Sequence, residues 1–475
     1  MLVYGATPAG IAAAIAAAQA GRTVAMLEPS AHLGGMLTGG LSRTDIGKPE
    51  TVGGFFREFQ RRVHAHYLAA YGEGSPQEQA SRGGLHFEPR VAREVLEGWV
   101  AETEGVALER HAVIRELRQV NGEVKELVSG ETVWRARVWV DATYEGDLLA
   151  AAGCQLRVGR ESRAEFDEEY AGLLYWDPER ARPGDGSTGE GDARVQAYCY
   201  RVCLTADPRI RVPFPAPTTY DPTTYDLLMQ FLRAKPNARL QDLVLLAELP
   251  NEKYDCNNWG FCWQSMDCIE GNTAYPTATP AERARIAAAH RDYQLGWWKF
   301  VQTDPRVPPR LQAAAGAFGL CRDEFVDSDH WPPQLYVREA RRLVGDVTFT
   351  QRHAQRDRER ADGIAVGSYP LDSHATQWYC PGQATPWAEG FFMANVKPYD
   401  IPFGVMTTPA APNLLVPVCA SGTHVGYGTL RLEPVLTNLG WAAGTAAALA
   451  LEQDVAPRSV DVEQLRELLR TSGRS

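Results

Sequence analysis

Apolar and polar positions follow one rhythm at the two ends of this chain and another through its middle. Leu2 to Tyr4 form a short apolar run, Gly5 to Gly10 interrupt it with small residues, Ile11 to Ala18 are apolar, and Val24 to Glu28 form a second apolar run closed by an acid. This order predicts a strand, a glycine turn, a buried helix and a second strand. Only four residues precede Gly5, so the first strand is short or the start is clipped. Apolar residues at helical spacing predict helices over 54–70 and 89–103, and alternation predicts strands at 106–108, 112–117, 123–128 and 132–140, with a turn at Asn121-Gly122.

From about residue 151 the texture changes. Prolines cluster at 182–222 and 303–309, tryptophan and tyrosine become frequent, and the Gly- and charge-rich segment 180–193 reads as a mobile loop. Thr279 and Pro280 have the residue types of an N-cap and first helical position, so a helix is expected to run on to Val301, its aromatics Tyr293, Trp297 and Trp298 belonging to the core. Near the end, Asn413 to Cys419 read as a buried strand and Ser421 to Leu430 as a glycine-punctuated turn. Pro434 opens an apolar helix through Gly440 and Gly444 to about Gln453. The last strand and helix are expected to rejoin the sheet of the first, so residues 1–150 and 411–475 make one domain and 151–410 are inserted into it.

The chain has 475 residues, more than one core usually supports. Its 48 basic and 59 acidic residues give a net charge of −11, which argues against nucleic acid or an anionic membrane as partner. Nine scattered cysteines without a CxxC pair argue against a zinc ribbon, an iron–sulfur cluster or a redox dithiol, and no metal is expected. The longest apolar stretch, 439–451, contains glycines and is short for a bilayer. A cytoplasmic protein with reduced thiols is expected.

The opening unit is the arrangement that holds a dinucleotide. Gly5 allows the tight turn, Gly10 allows close helix–sheet packing, Pro8 and Ala9 begin a helix whose N-terminus faces a pyrophosphate, and Glu28 offers its carboxylate to ribose hydroxyls. Thr7 departs from the pattern, standing where a middle glycine is usual; its hydroxyl is a candidate donor to phosphate. Directly after Glu28, Gly34, Gly35, Gly39 and Gly40 lie within seven positions, interleaved with Met36 and Leu41. A loop so poor in side chains suits a large flat ligand, which favours FAD over NAD. Val113, in the strand after the first helices, and Ala142, Thr143 and Asp147, after the strand ending at Val140, are further candidate cofactor contacts; a plain capped strand end explains Asp141 to Thr143 equally well. The fold class expected is α/β, a Rossmann-like three-layer FAD-binding domain with an inserted mixed α+β substrate domain.

The helix at Pro434 is the candidate to point its N-terminus at the flavin edge where negative charge gathers on reduction. Glu433 opposes that effect unless Arg431 neutralises it, or else it only caps the helix.

Several longer strings resemble the bacterial FAD-dependent oxidoreductases that share a nucleotide domain with the glutathione reductase and succinate dehydrogenase flavoproteins. They are Leu33–Leu41, Asp141–Asp147 with Val158–Glu161, Gln334–Arg342, Gly367–His374, Pro398–Pro402 and Thr423–Pro434. The resemblance implies FAD held by the N- and C-terminal segments; it implies no substrate. Within these strings His374 and His424 are the candidate bases. Arg338, Arg341 and Arg342, if helical, form a cluster able to bind a carboxylate or phosphate or to pair with nearby acids. Tyr399 is a weaker catalytic candidate.

The expected activity is hydride transfer between flavin N5 and a small organic substrate, with oxidation of a C–OH or C–N bond first and an electron acceptor outside the chain. A flavin monooxygenase using NAD(P)H and oxygen is the rival on the same fold, although no second glycine fingerprint is present. A flavin-dependent RNA-modifying or interaction protein is the rival of another class. Monomer and homo-oligomer both stay open.

Overall fold

The computed structural model describes residues 1–355, 360–383 and 387–471. A parallel sheet of five strands lies at its centre, in the order β5, β4, β1, β2, β3, where β1 is Leu2–Tyr4, β2 Val24–Glu28, β3 Val106–Arg110, β4 Trp139–Asp141 and β5 Leu414–Leu415. Leu2 pairs with Ala25 on one side and Trp139 on the other, and Leu414 pairs with Trp139, so the C-terminal segment returns to the first sheet. β1, β2, β4 and β5 are almost wholly buried, as strands of a covered parallel sheet are, whereas the edge strand β3 is half-buried to exposed along its length.

Helix α1 (Pro8–Gln19) crosses from β1 to β2 and packs along α2 (Glu433–Gln453). The contact is backbone to backbone. A Cβ on Gly440 would stand 2.1 Å from Ala9 O, and one on Gly444 2.2 Å from Ala13 O. The alanines of α1 and the glycines of α2 therefore set how near the two helices come. α2 is long and apolar enough to cross a membrane by composition, but 83% of its apolar window is buried in the fold.

On the other face lies a three-stranded antiparallel sheet, Glu116–Val120, Glu123–Ser129 and Thr132–Arg135. The single strand expected over 132–140 is thus two: the chain leaves the antiparallel sheet at Arg135, turns at 136–138, and enters the parallel sheet as β4. The helices expected near 54–70, 89–103 and 279–301 run over Gly54–Tyr71, Pro89–Glu102 and Pro280–Thr303, the last with a complete capping box between Thr279 and Glu282.

Between the two halves of the parallel sheet the chain builds a five-stranded antiparallel sheet from residues 202–321, in the order Arg211–Val212, Gly319–Cys321, Val202–Thr205, Lys253–Asn258, Val244–Leu249. The segment 180–193, expected to be mobile, is tied down instead. Arg182-Pro183 pair with Trp176-Asp177, and Asp192 exchanges backbone hydrogen bonds with Arg160 while its carboxylate meets that guanidinium. The expected turn at 421–430 is a helix over His424–Leu430, capped by Thr423 Oγ1 accepting from Gly426 N at 3.0 Å. Two glycines in seven residues disguise it in the sequence.

Candidate functional site

At the nucleotide end the glycines do what close approach demands. Gly5 has φ +98°, and a Cβ there would stand 2.8 Å from the carbonyl carbon of Ala142; a Cβ on Gly10 would stand 2.0 Å from Gly5 O. The end of β4 therefore runs directly under the turn. Thr7 caps α1: its Oγ1 accepts from Gly10 N at 3.3 Å and donates to Ala142 O at 2.7 Å. The hydroxyl proton expected for a phosphate is thus spent on the β4 backbone, and Thr7 replaces glycine by bracing the turn. Thr7 N–H and, in the first turn of α1, Ala9 N–H have no acceptor among the described residues and are donors left for an anion.

Glu28 is buried at the end of β2. One oxygen accepts from Ala6 N at 2.8 Å, and the other from Ser30 N at 2.8 Å and Ser30 Oγ at 2.6 Å. A carboxylate has room for about four donors, so one place remains for a ribose hydroxyl. Val113 is 48% exposed just beyond the Glu28 carbonyl, which accepts from Ala112 N. A cleft of about 520 Å³ opens beside this end, lined by Ala31, His32, Thr38, Arg90 and Phe325.

The loop after Glu28 is buried from Leu33 to Ser42 and is not a flexible surface segment. It contains a short helix, Gly35–Thr38, entered through Gly34 at φ +93°. A Cβ on Gly35 would meet Tyr144 Oη at 2.5 Å, on Gly39 the Gln334 Cβ at 2.4 Å, and on Gly40 the Arg201 carbonyl oxygen at 2.1 Å. Tyr144 Oη accepts from Met36 N at 3.0 Å and donates to Glu433 Oε1 at 2.5 Å, linking the loop to the start of α2. Leu41 N closes the loop onto Met36 O.

Glu433, not Pro434, is the first residue of α2, and Pro434 follows it. Burial raises the Glu433 carboxyl to about 7, against the hydrogen bond from Tyr144, and its second oxygen has no partner. Arg431 does not neutralise it. That guanidinium pairs with Asp372 at 2.8 Å and donates to Tyr336 Oη at 3.1 Å.

Asp141 accepts from Thr143 N, Thr143 Oγ1 and Leu149 N, and Thr143 Oγ1 accepts from Gly146 N, so the end of β4 both caps the helix Asp147–Ala151 and passes under Gly5. Burial raises Asp141 to about 6. The Asp147 carboxylate is paired with Arg283 at 2.9 Å and Arg341 at 2.8 Å. These residues fit an FAD: a close-packed glycine turn, an unclaimed N–H at a helix start, an acid with a free lone pair, and a buried glycine loop.

Beyond that loop lies a dense polar cluster. The stretch 334–341 is not helical, so the arginines expected on one helical face do not share one. Arg338 pairs with Asp267 at 3.0 Å and donates to Cys199 Sγ at 3.2 Å; Arg341 turns to Asp147; Arg342 meets Glu161 and Glu339, each at 3.2 Å. Each arginine of the expected anion anchor is thus matched by a carboxylate.

His374 Nδ1 lies 2.6 Å from Asp267 Oδ2. Burial and then Arg338 lower the histidine, while Asp267 opposes them; burial works against the charge of Asp267, but Arg338 and His374 outweigh it and hold that carboxyl at about 2. With Nδ1–H donating to the fixed Asp267 carboxylate, Nε2 is left as acceptor. His424 is different. It is wholly buried, with Nδ1 2.8 Å from Glu339 Oε2 and Nε2 3.2 Å from Ser373 Oγ, and its N–H is taken by Glu161. Both ring nitrogens of His424 are thus engaged by neighbouring side chains, whereas Nε2 of His374 is not. Tyr399 Oη is likewise committed, 2.5 Å from Thr429 Oγ1.

Asp267, Arg201, Asp255 and Tyr336 join this cluster without having been expected. Arg201 Nε donates to Asp255 Oδ1 at 3.0 Å, and the Arg338 guanidinium lies 4.6 Å over the Tyr336 ring. All four lie in the middle segment, on separate strands or loops, and only Tyr336 falls within a string that resembles the family, Gln334–Arg342.

A family profile described as FAD dependent oxidoreductase matches residues 1–469. No curated protein matches the sequence. Partial likenesses among solved structures include THI4 of Thermovibrio ammonificans, 19% identical over 34% of this chain and 65% of that one with a TM-score of 0.23. Glycerol-3-phosphate dehydrogenase from Bacillus halodurans complexed with FAD is 14% identical over 35% and 40%, TM-score 0.22. OxyS anhydrotetracycline hydroxylase from Streptomyces rimosus is 17% identical over 34% and 37%, TM-score 0.24. The chain spans less than two thirds of each of these three structures.

Proposed function

The chain belongs to the FAD-dependent oxidoreductase family, and from that premise we propose that it moves a hydride between FAD and a small organic molecule, oxidising a C–OH or C–N bond. The observation that carries the reading is the His374–Asp267 pair in the polar cluster that packs against Gly39 and Gly40 through Gln334 and Arg201.

The cofactor domain consists of residues 1–150 and 411–475, and the inserted segment 151–410 supplies the substrate side. Ala9 N–H and the start of α1 would hold the pyrophosphate and Glu28 a ribose hydroxyl, with Gly34 to Leu41 and the start of α2 the residues that would hold the remainder. FAD supplies the two-electron acceptor. His374 Nε2 would accept the O–H or N–H proton of the substrate as that substrate is oxidised. Asp267 holds the ring by Nδ1–H and stabilises the imidazolium that forms.

Anaerobic titration of the holoprotein with alcohols, sugars, amines and hydroxy acids tests this directly. Bleaching of the oxidised flavin by at least one of these donors is expected, without NADPH. Bleaching by NADPH alone, with none by the donors, contradicts the reading and favours the monooxygenase.

A further inference from the structure

Charges in the cluster are nearly all committed to one another: Arg201 to Asp255, Arg338 to Asp267, Arg431 to Asp372. Two side chains are not. Arg43 and Asp45, three and five residues after Gly40, form no side-chain hydrogen bond or ion pair among the described residues, either with each other or with a neighbour. They are two apart, Arg43 is bridged to His86, and the buried Thr44 stands between these two half-buried residues. The backbone beneath them is fixed: Arg43 N donates to Asp255 Oδ2 at 3.0 Å, and Thr44 N donates to Leu85 O at 3.1 Å.

We propose that Arg43 and Asp45 are the substrate-binding pair, holding a small molecule that carries a carboxylate for Arg43 and a hydroxyl or ammonium for Asp45. The proposal rests on the oxidoreductase reading and narrows its substrate to a hydroxy acid or an amino acid. Asp45 stands among Arg201, Arg43, Asp372 and Asp255; burial raises its carboxyl, more than Arg201 and Arg43 lower it, as expected of an acid without a contacting cation. A guanidinium and a carboxylate left unpaired in a half-buried site are a cost unless a ligand completes both. A bidentate carboxylate on Arg43 and a donor on Asp45 complete them together. The anion anchor sought at Arg338 to Arg342 is thereby placed on the loop that also lines the flavin.

The test uses holoprotein and a matched set of three-carbon probes: lactate and alanine carry both groups, propane-1,2-diol only the donor, propionate only the carboxylate. Binding is read from the perturbation of the bound flavin spectrum, without turnover. Lactate or alanine is expected to bind at least about tenfold more tightly than either single-group probe, about 1.4 kcal/mol. Arg43→Gln should bring that affinity down to the diol's and Asp45→Asn down to propionate's, with FAD content unchanged; Arg43→Lys and Asp45→Glu should recover part of it. Equal affinities for all probes, no binding by any, or variants that bind as the parent does would overturn the proposal. Tight, pair-dependent binding without bleaching by any donor would instead refute the oxidoreductase reading and leave the pair standing.

Discussion

Replacing Gly440 by alanine puts a methyl group where α1 already stands. The new Cβ lies 2.1 Å from Ala9 O, about 0.9 Å inside the 3.0 Å that real Cβ atoms keep, and its other near neighbours are Ala9 backbone atoms at 2.7 Å. Backbone cannot swing aside as a side chain can, so α1 and α2 must part by most of an ångström along a seam of alanines. Overpacking of this kind costs about 1–3 kcal/mol, offset by the roughly 1 kcal/mol by which alanine outranks glycine in a helix. Gly98→Ala is the internal control: that glycine is in the helix Pro89–Glu102 with nothing within 4 Å of its Cβ position. It should gain up to about 1 kcal/mol. Denaturant unfolding of the two apoproteins measures the difference, and FAD titration measures its consequence, since α1 carries the Ala9 N–H. Gly440→Ala should lower both stability and FAD affinity; a Gly440→Ala protein as stable as Gly98→Ala would refute the backbone seam.

Three further outcomes follow from the site. Glu433→Gln should change how stability depends on pH: the buried carboxyl is raised to about 7, so the parent loses up to about 1.4 kcal/mol per pH unit as pH rises from its unfolded pKa through that value, and the Gln variant does not. Parallel stability profiles of the two proteins by denaturant titration would contradict this. Asp267→Asn removes both the partner of Arg338 and the acceptor of His374 Nδ1–H; breaking such a buried pair costs about 3–5 kcal/mol, read by denaturant unfolding, and the rate of flavin reduction should fall even where FAD is retained. Thr7→Gly removes a cap and a hydrogen bond to Ala142 but no ligand contact, so stability should drop by about 1 kcal/mol and FAD affinity by less than about tenfold. A larger loss on FAD titration would place the Thr7 hydroxyl on the phosphate.

The sequence was most legible where one residue type answers one local demand. Gly5 to Glu28 and Pro280 to Thr303 were readable because a turn, a cap and an apolar run each leave a mark within a few residues. The helix His424–Leu430 was not, because Gly426 and Gly428 mimic a turn; Gly426 is needed where its Cβ would meet Phe349 O at 2.4 Å, and Gly428 where it would meet Asp372 O at 2.7 Å. Arg338 to Arg342 carry a helical spacing, but the segment is not helical and each guanidinium has its own carboxylate, all distant in sequence. The two candidate histidines differ in their long-range partners, and on that difference His374 is proposed as the base. Asp267 and Glu339 lie 107 and 85 residues away from the rings they hold, beyond any local pattern.

Anaerobic stopped-flow reduction of the His374→Asn holoprotein, set beside the parent with the best donor found, tests the central claim most directly. General-base catalysis contributes about 10²- to 10⁴-fold, so the variant should keep its FAD and its oxidised spectrum while flavin reduction slows by that factor. A variant whose flavin is reduced as fast as the parent's would contradict the account.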